Sequence, residues 1–343
     1  MKTFKKSSDI KVGVIGYGGA FNMGRAHLNE MRQAGMVPVA VAEIDPGRLA
    51  EAAKDFPGIA SFGRAEEMLR KSDVKLLAII TPHNTHADLA LQCLKAGRHV
   101  VAEKPMAITT AECDRMIAAA KKSGVLLSTY HNRHWDGIIL GALKHLKAGA
   151  IGDVVRVDVA MGGWAKPGDW WRSSKSISGG ILYDWGVHLL EYTLQMVRSE
   201  VCEVSGHLWN GVWAGDSKWG KDTIEDEGFL TVRFRSGAWA SLRVTGIEER
   251  PHTPWFKVLG TKGSMVLDWG ATEFTTHVKG NQVTTRVNNP QSEGWRFYQN
   301  IADHLTGKAE LVITPEWSRR PIHILDLACR SAGEGRALKA KYG

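Results

Sequence analysis

The chain has 343 residues, of which 43% are hydrophobic and 23% charged, with a formal net charge of +8. That length exceeds the usual size of one hydrophobic core and predicts two domains of an ordinary globular protein. The basic residues are scattered, which argues against nucleic acid as a partner. No apolar run reaches the length of a membrane span, and the opening MKTFKKSSDI lacks the apolar core of a signal peptide. Cys93, Cys113, Cys202 and Cys329 are far apart, with no C-x-x-C pairing, as expected of free thiols in a reducing cytoplasm.

Short apolar runs alternate with helical patterns through the first 130 residues. Strands are expected at 11–15, 37–41, 76–80, 99–102 and 125–130, and helices at 24–34, 46–54, up to 96, and 110–123. This rhythm implies βαβ units in a Rossmann-type, doubly wound parallel sheet. The rhythm then changes. A helix at 135–147 leads to an alternating segment at 154–160 and to the sequence SGGILYDWGVH at 178–188. Strand-like segments follow at 203–209, 228–235, 238–245, 255–259, 264–267 and 273–278, and helices at 295–305 and 315–339. The second part reads as an α+β domain with a large, mainly antiparallel open sheet, wet on one face. The expected division is 1–130, then 131–310, then a C-terminal helical segment at 311–343 packing back on the first domain. All 13 tryptophans lie at or after Trp135, so the two parts differ in composition as in task.

The first strand, KVGVI, runs into Gly16, Gly18 and Gly19, and a helix follows. Glycines there let backbone N–H groups approach a pyrophosphate at a helix N-terminus. The spacing departs from G-x-G-x-x-G, because Phe21 stands where the third glycine belongs. The loop therefore reads as an extended one, with Ala20, Phe21 and Asn22 bordering the same ligand. Glu43, just past the second strand, is placed to accept hydrogen bonds from a ribose and to repel a 2′-phosphate. The cofactor this implies is NAD, with NADP as the alternative.

In SGGILYDWGVH, Asp184 and His188 lie four apart, which would stack them on one helical face as a carboxylate–imidazole pair suited to proton transfer near neutral pH. Lys104, in Ala-Glu-Lys-Pro after the HVV strand, is held at a strand C-terminus, where open α/β sheets place their ligands.

The ordered motifs VGVIGYGG, TPHNTHADLALQCLKAGRHVVAEKP, HNRHWD, AIGDVVRV, SGGILYDWGVH and YQNIADHLTGKAELVITPE span nearly the whole chain. Together they resemble the Gfo/Idh/MocA family, the glucose–fructose oxidoreductase and inositol dehydrogenase group. The resemblance implies that Lys104 approaches the reacting hydroxyl and the nicotinamide, and that Asp184 and His188 line the substrate pocket, with His188 as the acid/base. It implies that Thr81, Pro82, His83 and His86 border the cofactor, and that Glu103 joins Lys104 there while shaping the turn with Pro105. Arg133 matches a segment that borders the substrate. At His134, relatives carry a second arginine.

Trp164, Trp170, Trp171 and Trp185 cluster in sequence around Asp184, and tryptophan rings stack on the apolar faces of sugars. Trp164, Trp171 and Arg172, together with Lys104, Arg133, Asp184 and His188, are the expected substrate contacts. His83-x-x-His86 and His131-x-x-His134 lack a third ligand, so no metal is expected. These readings converge on a cytoplasmic, homodimeric or homotetrameric dehydrogenase that oxidises a secondary alcohol of a sugar, sugar derivative or cyclic polyol. The alternatives are an NAD-dependent glycosidase working through a transient keto-sugar and a non-catalytic sensor.

Overall fold

The computed structural model describes residues 4–19 and 21–342, which form two compact units. The first is Met1–Asn132 with Trp295–Arg319, and the second is Arg133–Gly294 with Arg320–Gly343.

The first unit contains β1 (Lys11–Ile15), α1 (Met23–Gln33), β2 (Val37–Ala42), α2 (Pro46–Asp55), β3 (Ala60–Phe62), α3 (Ala65–Lys71), β4 (Leu76–Ile79), α4 (His86–Lys95), β5 (His99–Ala102), α5 (Thr110–Ser123) and β6 (Leu127–Thr129). Its six strands lie in the order β3-β2-β1-β4-β5-β6, every neighbouring pair parallel. β4 and β5 are buried along their whole length, as continuous apolar runs in a sheet covered on both faces should be. β3 and α3 were not expected: β3 is three largely exposed residues and α3 only two turns, too short for a periodic signal. Helix ends follow their local chemistry. Asp45 accepts the N–H groups of Gly47 and Arg48, and Pro46 opens α2. Thr109 and Glu112 form a reciprocal capping box at the start of α5, and Gly124 ends it in the left-handed conformation.

The second unit begins with α6 (Gly137–Lys147), β7 (Val154–Gly162), α7 (Lys175–Ser178) and α8 (Gly186–Met196). Then come β8 (Val201–Trp209), β9 (Glu227–Phe234), β10 (Trp239–Thr245), β11 (Phe256–Gly260), β12 (Gly263–Leu267), β13 (Ala271–Val278) and β14 (Asn281–Asn288). The sheet runs β14-β13-β12-β11-β7-β10-β9-β8-β15, where β15 is Leu338–Lys339. It is antiparallel except where β7 and β10 pair in parallel. β9 and β10 alternate buried and accessible residues, the pattern of a sheet with one wet face. β14 is accessible along its whole length, which left no apolar alternation to read.

The two units divide the chain at other bounds than those expected. Residues 295–310 group with the first unit, because α9 (Arg296–Leu305) buries Phe297 and Tyr298 against Tyr130 and His27. From Arg320 on, the closing segment groups with the second unit. α10 (Pro315–Glu334) stops short of the expected 339; Arg320 donates to the Ser199 carbonyl, and Leu338–Lys339 pairs with β8. Among the described residues, no helix is long and apolar enough to cross a membrane.

The capping box gives a test of the first unit. Thr109→Ala removes the side-chain acceptor of the Glu112 N–H and is expected to cost about 1 kcal/mol in urea unfolding. An unchanged midpoint would show that the cap contributes nothing.

Candidate active site

Strand register brings the first unit's candidate residues to one edge. Ile15 of β1 pairs with both Ala42 of β2 and Ile79 of β4, and Ile79 pairs with Ala102 of β5. Four strands therefore end level, and Gly16, Glu43, Ile80 and Glu103 are the next residues along the chain. Gly16 has φ of +88°, and a Cβ there would come within 2.2 Å of the Ile80 carbonyl oxygen and 3.2 Å of the Thr81 methyl. Only glycine lets the loops after β1 and β4 touch. The Tyr17 N–H donates to Glu43 at 2.7 Å, and Glu43 also accepts the Asp45 N–H at 3.0 Å, so its carboxylate stands against the glycine loop. Tyr17 is anchored from the other side, where its hydroxyl and Arg25 both donate to Asp55 at 2.6 Å. The guanidinium of Arg48 occupies the space a side chain at Gly19 would fill. Phe21 is more than half exposed and Asn22 is left-handed at the start of α1. Ala20 lies outside the described residues. This narrow, glycine-lined turn at the point where strand order reverses has the shape and N–H supply that a dinucleotide pyrophosphate needs.

Lys104 stands at the same edge on a buried support. Glu103 accepts the backbone N–H of Lys104 at 2.9 Å and pairs with His27 Nε2 at 3.0 Å, while His27 Nδ1 bonds Tyr298. Burial alone would raise the Glu103 carboxyl; the His27 hydrogen bond and charge and the Lys104 charge outweigh it, so it titrates below its ordinary value. The Lys104–Pro105 bond is cis. His86, wholly buried, sets its two ring nitrogens against the carbonyls of Pro105 at 2.8 Å and Thr81 at 2.9 Å, joining the turns after β5 and β4. His83 packs 5.7 Å from it and Thr81 bonds Thr85 at 2.6 Å.

In the second unit the Asp184–His188 segment differs from expectation. α8 begins only at Gly186, so Asp184 precedes it, at the end of a 3-10 turn over Ile181–Tyr183. Two consecutive glycines with positive φ break the chain before this turn, and Gly180, at φ +115° and ψ 176°, adopts a conformation open in practice to glycine alone. The space a Cβ on Gly180 would take is filled by Glu225, a carboxylate 1% exposed that accepts the Ile181 N–H at 3.0 Å and pairs with Lys175 at 2.7 Å. Asp222 accepts from the Ser174 hydroxyl and from the Ser176 N–H and hydroxyl. Two acids from the 214–226 stretch thus fix the segment that presents Asp184 and His188. The Asp184 carboxylate lies 3.8 Å from Arg172, whose guanidinium stands over the rings of Trp170 at 5.0 Å and Trp171 at 5.2 Å. His188 is 6% exposed and meets the Trp185 ring edge-on at 5.7 Å.

α8 is buried on every side, so its single charge must be paired. Glu191 bonds His134 Nδ1 and accepts from the Gln195 amide at both of its oxygens, and that amide also donates to the His134 carbonyl. Asp136 accepts from Tyr192 at 2.6 Å and from Arg133 at 3.0 Å, which sets the Arg133 guanidinium 5.1 Å over Trp185. Trp164 stands apart from these, packed on Trp213 and half exposed. Arg172, Trp171 and Asp184 are therefore brought together, as are Arg133, Trp185 and His188. Trp255 and Trp269, which join the latter group, carry no local motif, and neither do Glu225 and Asp222. An unusual density of tryptophan after residue 134 was their only trace. Among the described residues, no group of three or more His, Cys, Asp or Glu is arranged to hold a metal.

His86 gives the unit a measurable pH dependence. Burial holds its imidazole below the ordinary value of 6.5. The unfolded chain therefore binds a proton there first, so this contribution is whole above pH 6.5 and is lost as pH falls below it. The slope is at most about 1.4 kcal/mol per pH unit. Chemical unfolding between pH 7.5 and 5.5 should show a shallower loss in His86→Gln than in the parent; equal slopes would contradict this.

Comparison with known proteins agrees with the geometry. Residues 10–131 match the model of the oxidoreductase family with NAD-binding Rossmann fold, and residues 139–266 match the GFO/IDH/MocA C-terminal domain. The scyllo-inositol 2-dehydrogenase (NADP(+)) IolW of Bacillus subtilis is 24% identical over 100% of this chain and 99% of its own length. Levoglucosan dehydrogenase of Pseudarthrobacter phenanthrenivorans is 29% identical over 76% of this chain and 74% of its own. A solved NAD-binding protein from Listeria innocua superposes with a TM-score of 0.81 at 26% identity, covering 98% of this chain and 97% of that one. The chain belongs to the Gfo/Idh/MocA family of NAD(P)-dependent oxidoreductases.

Proposed function

We propose that this protein oxidises a secondary alcohol of a sugar, sugar derivative or cyclic polyol, with NAD as its cofactor. The observation that carries the reading is the level ending of β1, β2, β4 and β5, which sets the glycine loop, Glu43, the Thr81–His86 turn and Lys104 on one edge. Relatives named for inositol and levoglucosan support the substrate class.

The nicotinamide, when bound, supplies the acceptor for the hydride. Every other part of the reaction falls to the protein's own backbone and side chains. Gly16, Gly18 and Gly19 admit the pyrophosphate, with Phe21 and Asn22 at the mouth of the loop. Glu43 meets the adenosine ribose and opposes a 2′-phosphate, a preference that the nearby Arg48 weakens but does not reverse. Lys104, held from below by Glu103 and His27, presents an ammonium to the substrate hydroxyl and stabilises the alkoxide as its proton leaves. His188 accepts that proton. Asp184, Arg172, Arg133 and Trp171 orient the remaining hydroxyls and ring faces, while Trp164, expected among them, stands apart on Trp213.

A spectrophotometric screen of sugars, inositols and glycosides with NAD and NADP tests the reading. At least one polyol or sugar should reduce NAD, more efficiently than NADP. Lys104→Ala and His188→Asn should each lower kcat by about 10²-fold or more. Full activity in Lys104→Ala would refute the assignment, and nitrophenol release without NADH would favour the redox-neutral glycosidase.

A further inference from the structure

Trp269 sits in the turn between β12 and β13 and keeps 47% of its surface exposed. A lone exposed tryptophan calls for no explanation, but this one is part of an assembly. Its ring stacks on Trp255 with centroids 4.9 Å apart and planes at 16°, and it meets Trp185 steeply at 6.4 Å. The Arg133 guanidinium stands over its ring, 6.0 Å from the centroid. With Trp255 stacked on one face and Arg133 over the ring, nearly half of the residue still meets solvent.

The turn that carries Trp269 is fixed. Asn289 donates to the carbonyls of Asp268 at 2.6 Å and Trp269 at 3.2 Å, and its own side-chain oxygen accepts from Thr272 at 2.9 Å. The Trp269 N–H donates to the Asp268 carboxylate at 2.8 Å. A ring ordered in advance loses little freedom when a ligand stacks on it. Trp185 meets Trp269 at 6.4 Å, packs edge-on against His188 at 5.7 Å and directly follows Asp184. Trp185 thus links Trp269 to the residue assigned to the reacting hydroxyl.

We propose that Trp269, backed by Trp255 and flanked by Arg133, is a stacking position for a second ring joined to the sugar that is oxidised, so that the substrate is a glycoside. Resting on the sugar-dehydrogenase reading above, the inference adds the size of the substrate. The occupant is a ring with an apolar face, either the C–H face of a second pyranose or an aryl aglycone. The guanidinium donates to oxygens at its rim.

The test compares KM values of the methyl glycosides, the 4-nitrophenyl glycosides and the disaccharides of glucose, galactose and mannose, with NAD. It uses the parent protein, Trp269→Ala and Trp269→Phe. In Trp269→Ala the KM ratio of a two-ring substrate to the matching methyl glycoside should rise about three- to ten-fold. Trp269→Phe should recover most of it, and circular dichroism confirms that each variant is folded. A rise confined to nitrophenyl glycosides identifies an aryl ring, and a rise confined to disaccharides a sugar. An unchanged ratio overturns the proposal. If no compound reduces NAD, the dehydrogenase reading falls on its own. The subsite is then decided by saturation-transfer NMR with cellobiose and 4-nitrophenyl glucoside. Second-ring signal that is present in the parent and lost in Trp269→Ala supports it. Signal equal in both proteins, or absent from the parent, overturns it.

Discussion

The site in the first unit depends on one constraint, the register of its parallel strands. Because β1 pairs its last residue with the last residues of β2 and β4, and β4 does the same with β5, four loops leave the sheet at one level. The close approach of Gly16 to the Ile80 carbonyl, the reach of Glu43 to the Tyr17 N–H and the bridge of His86 from Thr81 to Pro105 all presuppose it.

The second unit reaches the same kind of fixity by another route. Its candidate groups lie in irregular chain before a helix, where backbone hydrogen bonds alone do not fix position. Hydrogen-bonded carboxylates take over that task. Glu225 and Asp222 hold the segment ahead of Asp184, and Glu191 and Asp136 hold the stretch carrying Arg133 against α8. The two that are buried, Glu225 and Glu191, are paired with Lys175 and His134, as low-dielectric surroundings require. Around them, indole rings carry the guanidinium groups of Arg133 and Arg172, a combination suited to a ligand with both hydroxyls and apolar faces.

Much of this was legible in the sequence, and the reasons are local. β1, β2, β4 and β5 announce themselves because strand stretches buried on both faces must be apolar, and the glycine loop because few other residues fit it. His99–Ala102 and Thr110–Ser123 were placed to the residue. β3 and β14 were silent, since short or exposed strands leave no periodic trace. The D-x-x-x-H spacing suggested one helical face, yet Asp184 lies outside the helix: Gly179 and Gly180 set a turn whose length spacing alone does not encode. Glu225, Asp222, Trp255 and Trp269 were invisible for a deeper reason. Their neighbours come from stretches far away in sequence, and no single segment records such an encounter.

The central claim is that the loops after β1, β2, β4 and β5 form one dinucleotide cradle. Hydrogen–deuterium exchange of the full chain with and without NADH tests it most directly. The account predicts that NADH slows exchange at residues 16–19, 43–45, 81–86 and 103–104 together. Protection confined to the glycine loop, or falling elsewhere in the chain, would contradict it.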